Sequence, residues 1–342
     1  MFNSLIKLFT TVAPDFEVLW LGARDLLTQK NPYLNLLSFT GNANPPNTML
    51  FYIPFALVNY PMGQSIFLSL SFLAIFFCLI LSFRILEVKP NLFSFSVAVF
   101  LVIISFPTKF TLGMGQSNFI VFALLLSSYL SFKKGKLILS GILLGLSFAY
   151  KAIFIYFLLF FIFKKSWKVV TYALITFLLS VCLIYIITGS LDLYTYYFTQ
   201  VVPLLLNFSG REIYYNQGIA GFVSRLITDI NVREIVTGAI SLILVGLNLY
   251  LIGKSRKTNL VFSITSITLL LIDSLSWQHH FVWMIFPFLC LWKEIKNHTI
   301  KRAILLTGYA LISINVPALN FAQSHVFWGT LFIYLLNLKL LI

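Results

Sequence analysis

The sequence predicts an all-α polytopic membrane protein. Three observations predict it. Of 342 residues, 59% are hydrophobic and 10% charged, against about 25% charged in a soluble globular protein. Apolar runs of about 17–25 residues recur, each long enough to cross the hydrocarbon core as a helix. The runs are apolar all round rather than alternating, which excludes a membrane β-barrel and leaves helices to satisfy the backbone internally.

The elements follow in chain order. Residues 1–13 are too short and mixed to span, and the first apolar stretch lacks the small-residue site of a cleavable signal. Residues 14–46 form a polar segment with Asp15, Glu17, Arg24, Asp25 and NPY at 31–33. Pro45-Pro46 breaks the chain ahead of an apolar stretch at 48–60. Spans are expected at 64–86, 92–107, 117–132, 137–163, 168–188, 233–252, 259–273, 279–292, 303–319 and 326–342. The expectation is one integral domain over 1–342, a bundle of about ten to eleven transmembrane helices with outer-face loops and short interfacial helices.

The charges orient this bundle. The net charge is +14. Its basic residues sit in short loops between apolar runs, as the positive-inside rule requires, so nucleic acid is excluded as the partner. Arg84, Lys89, KKGK (133–136), Lys164, Lys165, Lys168, KSRK (254–257) and KEIKNHTIKR (293–302) then face the cytoplasm. Segment 137–163 starts and ends beside basic loops. A single crossing would flip the topology, so the segment is expected to break into two halves at Tyr150-Lys151. The unusual polar residues collect on the other face: Asp15, GMGQSN (113–118), the 189–232 loop with NQG (216–218), and SLSWQHH (274–280). That places a site on the extracytoplasmic side of the plasma membrane. Cys78, Cys182 and Cys290 lie in apolar runs without metal-ligand spacing and read as small core hydrophobes.

Each candidate has a plain structural role beside its chemical one. Asp15 can take a proton from a hydroxyl nucleophile as a general base, or cap a helix. Asp15 and Glu17 have a spacing that can hold a divalent cation, although such pairs are common by chance. Lys151, inside an apolar run, can meet an anionic phosphate or snorkel to the interface. His279 and His280 can bind phosphate or carry protons near neutral pH, or belong with Trp277 to an interfacial belt. Asp273 can orient one imidazole. Arg225, on the amphipathic stretch GIAGFVSRLI, can grip a lipid phosphate or a headgroup. Gln116, Asn118, Asn216 and Gln217 offer amides to hydroxyls. No Walker loop, dinucleotide fingerprint or zinc motif stands where it can work. Asn207-Phe208-Ser209 matches a glycosylation triplet, a pattern frequent by chance.

Taken together, the order of motifs resembles glycosyltransferase family 87, the polyprenyl-phosphate-dependent mannosyltransferases of the GT-C class. The pieces are Asp15 to Tyr33, Pro45-Pro46, GQSN with its helix (115–132), GILLGLSFAYK (141–151), NQGIAGFVSRL (216–226) and SWQHHFVW (276–283), spanning about residues 15–290. The resemblance implies a GT-C-like bundle that transfers a sugar with inversion; the sugar in the family is mannose or arabinofuranose, and mannose is expected here. The donor is a polyprenyl-phosphate sugar and the acceptor a hydroxyl of a glycan or glycolipid in contact with membrane lipids. It implies Asp15 as general base, Lys151, Arg225, His279 and His280 around the donor phosphate, and Gln116, Asn118, Asn216, Gln217 and Trp277 around sugar or acceptor. No metal and no cofactor are expected, because a single phosphate leaves and cationic side chains are at hand. A transporter or lipid flippase, and a non-catalytic envelope-assembly subunit, are the competing readings. A transporter commonly shows paired repeats with matching broken helices, and this chain has one broken segment.

Overall fold

The structure is a computed structural model. It describes residues 9–34, 42–206, 208, 210–296, 298–317 and 322–342. Most of the 1–13 segment and the glycosylation triplet's Asn207 and Ser209 lie outside the described residues. Among the described residues every regular element is helical, with one isolated antiparallel bridge between Asn216 and Trp277.

Apart from the single turn Ile53–Ala56 and short 3-10 and π turns, the elements, in order, are α1 (Pro14–Leu27), α2 (Pro46–Leu50), α3 (Tyr60–Ile85), α4 (Leu92–Ile104), α5 (Phe106–Met114), α6 (Asn118–Lys133), α7 (Leu137–Tyr150), α8 (Phe157–Phe163), α9 (Trp167–Thr188), α10 (Asp192–Tyr196) and α11 (Val202–Leu206). There follow α12 (Ile219–Leu226), α13 (Ile230–Lys254), α14 (Thr258–Ile272), α15 (Ile285–Ile295), α16 (Thr299–Ser313) and α17 (His325–Leu341). Two starts have side-chain caps: Asn91 Oδ1 accepts from Ser94 N at 2.8 Å before α4, and Asp229 Oδ1 accepts from Val232 N at 2.9 Å before α13.

Among the described residues three helices are long and apolar enough to cross a membrane: α3, α9 and α13, with mean hydropathies of 2.7, 2.4 and 2.2. In α9 and α13 only 22% and 17% of the spanning window is buried by protein, so their remaining surface suits lipid. A fourth crossing results if α4 and α5, bent by 61° at their break, count as one span. The ten to eleven spans expected are therefore not reached by length and composition. The reason is physical: several apolar runs are broken or short. At the α4–α5 bend Ser105 leaves helical geometry, and its hydroxyl donates to Val102 O at 2.8 Å. The 137–163 run ends α7 at Tyr150, turns through Lys151 with extended φ/ψ of −139° and 102°, and continues as a 3-10 turn, Ala152–Tyr156, into α8. The break expected at Tyr150-Lys151 is present.

The chain forms two compact units, each assembled from separated segments. The first comprises Met1–Phe76, Thr111–Ile155 and Lys168–Phe208; the second comprises Phe77–Phe110, Tyr156–Trp167 and Ser209–Ile342. In the first, α6 and α7 form a hairpin in which Ser128 Oγ donates to Ser140 O at 2.8 Å. Phe16, Tyr52, Phe55 and Phe67 fill its aromatic core beside α1. In the second, α14 is buried along nearly its whole length, and Phe262 packs on Phe157, Phe160 and Phe286. The chain passes between the units five times.

Candidate functional site

In the first unit four side chains from three chain segments meet. Asp15 lies in the first turn of α1, after Ala13 at the N-cap position and Pro14. The cap is thus Ala13, and the Asp15 side chain is free for other work. The start of α1 is pinned to α3: Ala13 N donates to Tyr60 Oη at 3.0 Å and Gln64 Oε1 at 3.2 Å, while Gln64 Nε2 donates to Thr11 O at 2.7 Å. Against this turn lies the GMGQSN loop. Gly115 has φ +70°, and a Cβ there would stand 2.5 Å from Phe16 Cβ and 2.9 Å from Ala13 Cβ. Only glycine allows that approach, and it brings the next residue to the carboxylate. Gln116 Nε2 donates to Asp15 Oδ2 at 2.6 Å.

Lys151 completes the group. Its Nζ donates to Gln116 Oε1 at 3.3 Å and to Asn118 Oδ1 at 2.6 Å, and Asn118 Nδ2 donates to Thr111 Oγ1 at 3.2 Å. The lysine reaches this place because α7 stops one residue earlier. Thr48 Oγ1 donates to Tyr150 O at 3.0 Å, and Phe51 stacks on Tyr150 with centroids 4.2 Å apart. Asn47 beside it accepts from Tyr194 Oη at 2.8 Å and donates to Ser180 Oγ at 2.6 Å. Burial pushes the Asp15 carboxyl above the ordinary carboxylate value; the Gln116 hydrogen bond and the Lys151 charge pull the other way. The result is a half-buried carboxylate with a cation one amide away. Glu17 is two residues further along the same helix, where side chains do not face each other, so the helix does not turn this pair to a common ligand.

The second unit joins the other two motifs. NQG pairs with SWQHH through Gln217 N to Ser276 O and Gln278 N to Tyr215 O, both 2.8 Å. Asn216 Nδ2 donates to Arg211 O and Ser274 O, each at 3.0 Å. Gln217 Nε2 donates to Tyr214 O at 2.5 Å and to Gln323 O, and its Oε1 accepts from Phe327 N at 3.2 Å. Arg225 Nη1 donates to the carbonyls of Glu212 (3.4 Å), Ile213 (3.2 Å) and Asn216 (2.9 Å), and Nε to Ser324 Oγ at 3.1 Å. Burial pushes its guanidinium down to about 10, partly countered by Tyr214, so it stays charged at neutral pH.

His279 and His280 are buried on a 3-10 turn, Gln278–Met284, rather than at the start of an α-helix. Their rings stand at 85° with centroids 4.5 Å apart. His280 Nδ1 lies 3.6 Å from Asp273 Oδ2, and its ring is stacked on Trp283 at 5.0 Å. His279 lies parallel to Trp277, with centroids 6.5 Å apart, and edge-on to Phe110.

Of the residues singled out from the sequence, the structure brings together Asp15, Gln116, Asn118 and Lys151 in one unit, and Asn216, Gln217, Trp277, Arg225, His279 and His280 in the other. The sequence reading missed Thr48, Thr111 and His325. Tyr214 Oη bonds to His325 Nε2 and Asn315 Oδ1 at 2.8 Å each. The Pro45-Pro46 break marked Thr48's neighbourhood; Thr111 and His325 carried no signal beyond their residue type.

No curated protein and no solved structure matches the chain. A family model does: glycosyltransferase family 87 matches residues 42–274. The matched stretch holds Gln116, Asn118, Lys151, Asn216, Gln217 and Arg225, while Asp15, Trp277, His279 and His280 flank it. With its polar residues gathered into these two clusters and more than half its length matched, the chain belongs to glycosyltransferase family 87.

Proposed function

We propose that this glycosyltransferase moves a sugar, mannose by preference, from a polyprenyl-phosphate donor to an acceptor hydroxyl at the extracytoplasmic face of the plasma membrane. The observation that carries the reading is the Asp15–Gln116–Lys151–Asn118 network. A base and a cation held one amide apart match the two ends of such a reaction. Asp15 takes the proton of the acceptor hydroxyl. The acceptor oxygen forms its bond to the anomeric carbon from the face opposite the phosphate, with inversion. The bond from that carbon to the phosphate oxygen breaks, and the electron pair leaves on the lipid phosphate.

Cationic groups stabilise the charge that develops there. Lys151, Arg225, His279 and His280 are assigned to it, as the family resemblance implies. Gln116, Asn118, Asn216, Gln217 and Trp277 are assigned to sugar and acceptor hydroxyls. A lipid-borne donor accords with the absence of a nucleotide-binding motif in the sequence, and the positive-inside rule supports the outer-face site.

The test supplies membranes containing the protein with radiolabelled polyprenyl-phosphate mannose, and separately with nucleotide-linked mannose. The proposal expects label in an acceptor glycan or glycolipid from the first donor and not from the second. Transfer from the nucleotide donor by purified protein, or from neither, overturns it.

A further inference from the structure

The α16–α17 hairpin carries a crevice that this chemistry does not use. The two helices touch at Gly308 and Gly329. A Cβ on Gly308 would lie 2.9 Å from Gly329 O, and one on Gly329 would lie 2.6 Å from Gly308 O. Small residues let helix backbones approach this closely. From beside that crossing towards Thr299 and Lys339 a cavity of about 600 Å³ opens. Its walls include Ile300, Ala303 and Ile304 on one helix and Phe332, Leu335 and Lys339 on the other. Ile300 is 77% exposed and Leu335 51%. Such an apolar crevice is unfavourable against water and fits a hydrocarbon chain.

The same end of the hairpin is cationic. Lys339 lies in the last turn of α17, and Lys301 and Arg302 lie in the first turn of α16. Lys257 Nζ donates to Leu340 O at 2.5 Å. Among the described residues Lys339 forms no ion pair. An apolar slot with an exposed ammonium at its polar mouth is complementary to one membrane component in both shape and charge. We propose that this crevice binds an anionic phospholipid from the leaflet on the basic side, one acyl chain lying along the slot and the headgroup meeting Lys339.

The experiment incubates the purified full chain in detergent with equimolar phosphatidylglycerol and phosphatidylcholine of identical acyl chains, then counts retained lipids by native mass spectrometry. An interfacial lysine favours an anionic headgroup by about fivefold. Wild-type protein is expected to retain phosphatidylglycerol over phosphatidylcholine by about that factor. Lys339→Gln is expected to erase the preference, and Ala303→Trp, which fills the slot, to lose the lipid. Lys136→Gln, in another basic loop, is expected to keep both. Equal retention of the two lipids, an unchanged preference in Lys339→Gln, or an equal loss in Lys136→Gln overturns the proposal. If Ala303→Trp does not fold, Lys339→Gln against Lys136→Gln decides alone.

Discussion

The two polar clusters of this molecule spend their side chains in opposite ways. Around Asp15, side chains bond to side chains: carboxylate to amide, amide to ammonium, ammonium to amide, amide to hydroxyl. Around the Asn216–Trp277 bridge, Asn216, Gln217 and Arg225 are directed mostly at backbone carbonyls. An amide on a carbonyl replaces a missing strand or helix partner and holds a loop in place. A carboxylate that accepts from one amide keeps lone pairs for a substrate proton. On the proposed reading the first arrangement reacts and the second mainly holds, so substitutions in the two clusters should fail differently.

Asp15→Asn gives the largest expected effect and the sharpest separation. Asparagine keeps an oxygen for Gln116 but cannot take a proton. Sugar transfer should fall by about 10²–10⁴ in kcat. Stability should not fall with it. The folded Asp15 carboxyl holds its proton more tightly than the unfolded one. Its contribution to stability is therefore full below the unfolded pKa and is lost as pH rises through the raised, folded value. At neutral pH the neutral amide should leave the thermal midpoint equal or higher. A transfer rate near wild type in a purified assay would remove Asp15 from the base role.

Lys151→Met comes next. It removes a cation assigned to the leaving phosphate, and about 10² in kcat should go with it. It also removes one of the two influences that lower the Asp15 pKa. The acid limb of kcat/KM, where Asp15 must be ionised, should therefore move to higher pH. A limb that stays in place would mean that the lysine and the carboxylate do not share one site in the working enzyme.

Arg225→Lys tests the other cluster. Lysine keeps the charge but not the fork that reaches three carbonyls and Ser324. Leaving the part-buried carbonyls of Ile213 and Asn216 without donors should cost about 1 kcal/mol of stability, seen as a lower midpoint in thermal or denaturant unfolding. Unchanged stability with a raised KM for the donor would assign Arg225 to phosphate alone and blur the contrast between the clusters.

How much of this was legible in the sequence follows from the kind of signal involved. The break at Lys151 was readable because a charge inside an apolar run, flanked by basic loops on both sides, has few solutions. The pairing of Asp15 with Gln116 was not readable. It depends on Gly115 taking a positive φ and lying against α1, and glycine turns between helices are routine. Tyr214–His325 joins residues more than a hundred positions apart, which no local pattern announces. The expected span count is not confirmed by helix length, because apolar composition persists through bends and 3-10 turns that interrupt the helix itself. The histidine pair was placed on an α-helix for the same reason.

Thr48→Val has the smallest expected effect and sharpens the comparison from inside the first unit. Thr48 is a buried side chain spent on a backbone carbonyl, like those of the second cluster, yet the carbonyl belongs to Tyr150, one residue before Lys151. Valine keeps the shape and loses the bond, at a cost of about 1 kcal/mol. If Thr48 only holds the loop, the midpoint drops and kinetics stay unchanged. If the bond aims Lys151, kcat should also fall, by about fivefold, and the acid limb should move upward, in the direction of Lys151→Met but less far. Thr48→Ser, which restores the hydroxyl, should recover both the rate and the limb. Recovery of stability without recovery of the limb would leave Lys151 placed by the stacked Phe51–Tyr150 pair instead.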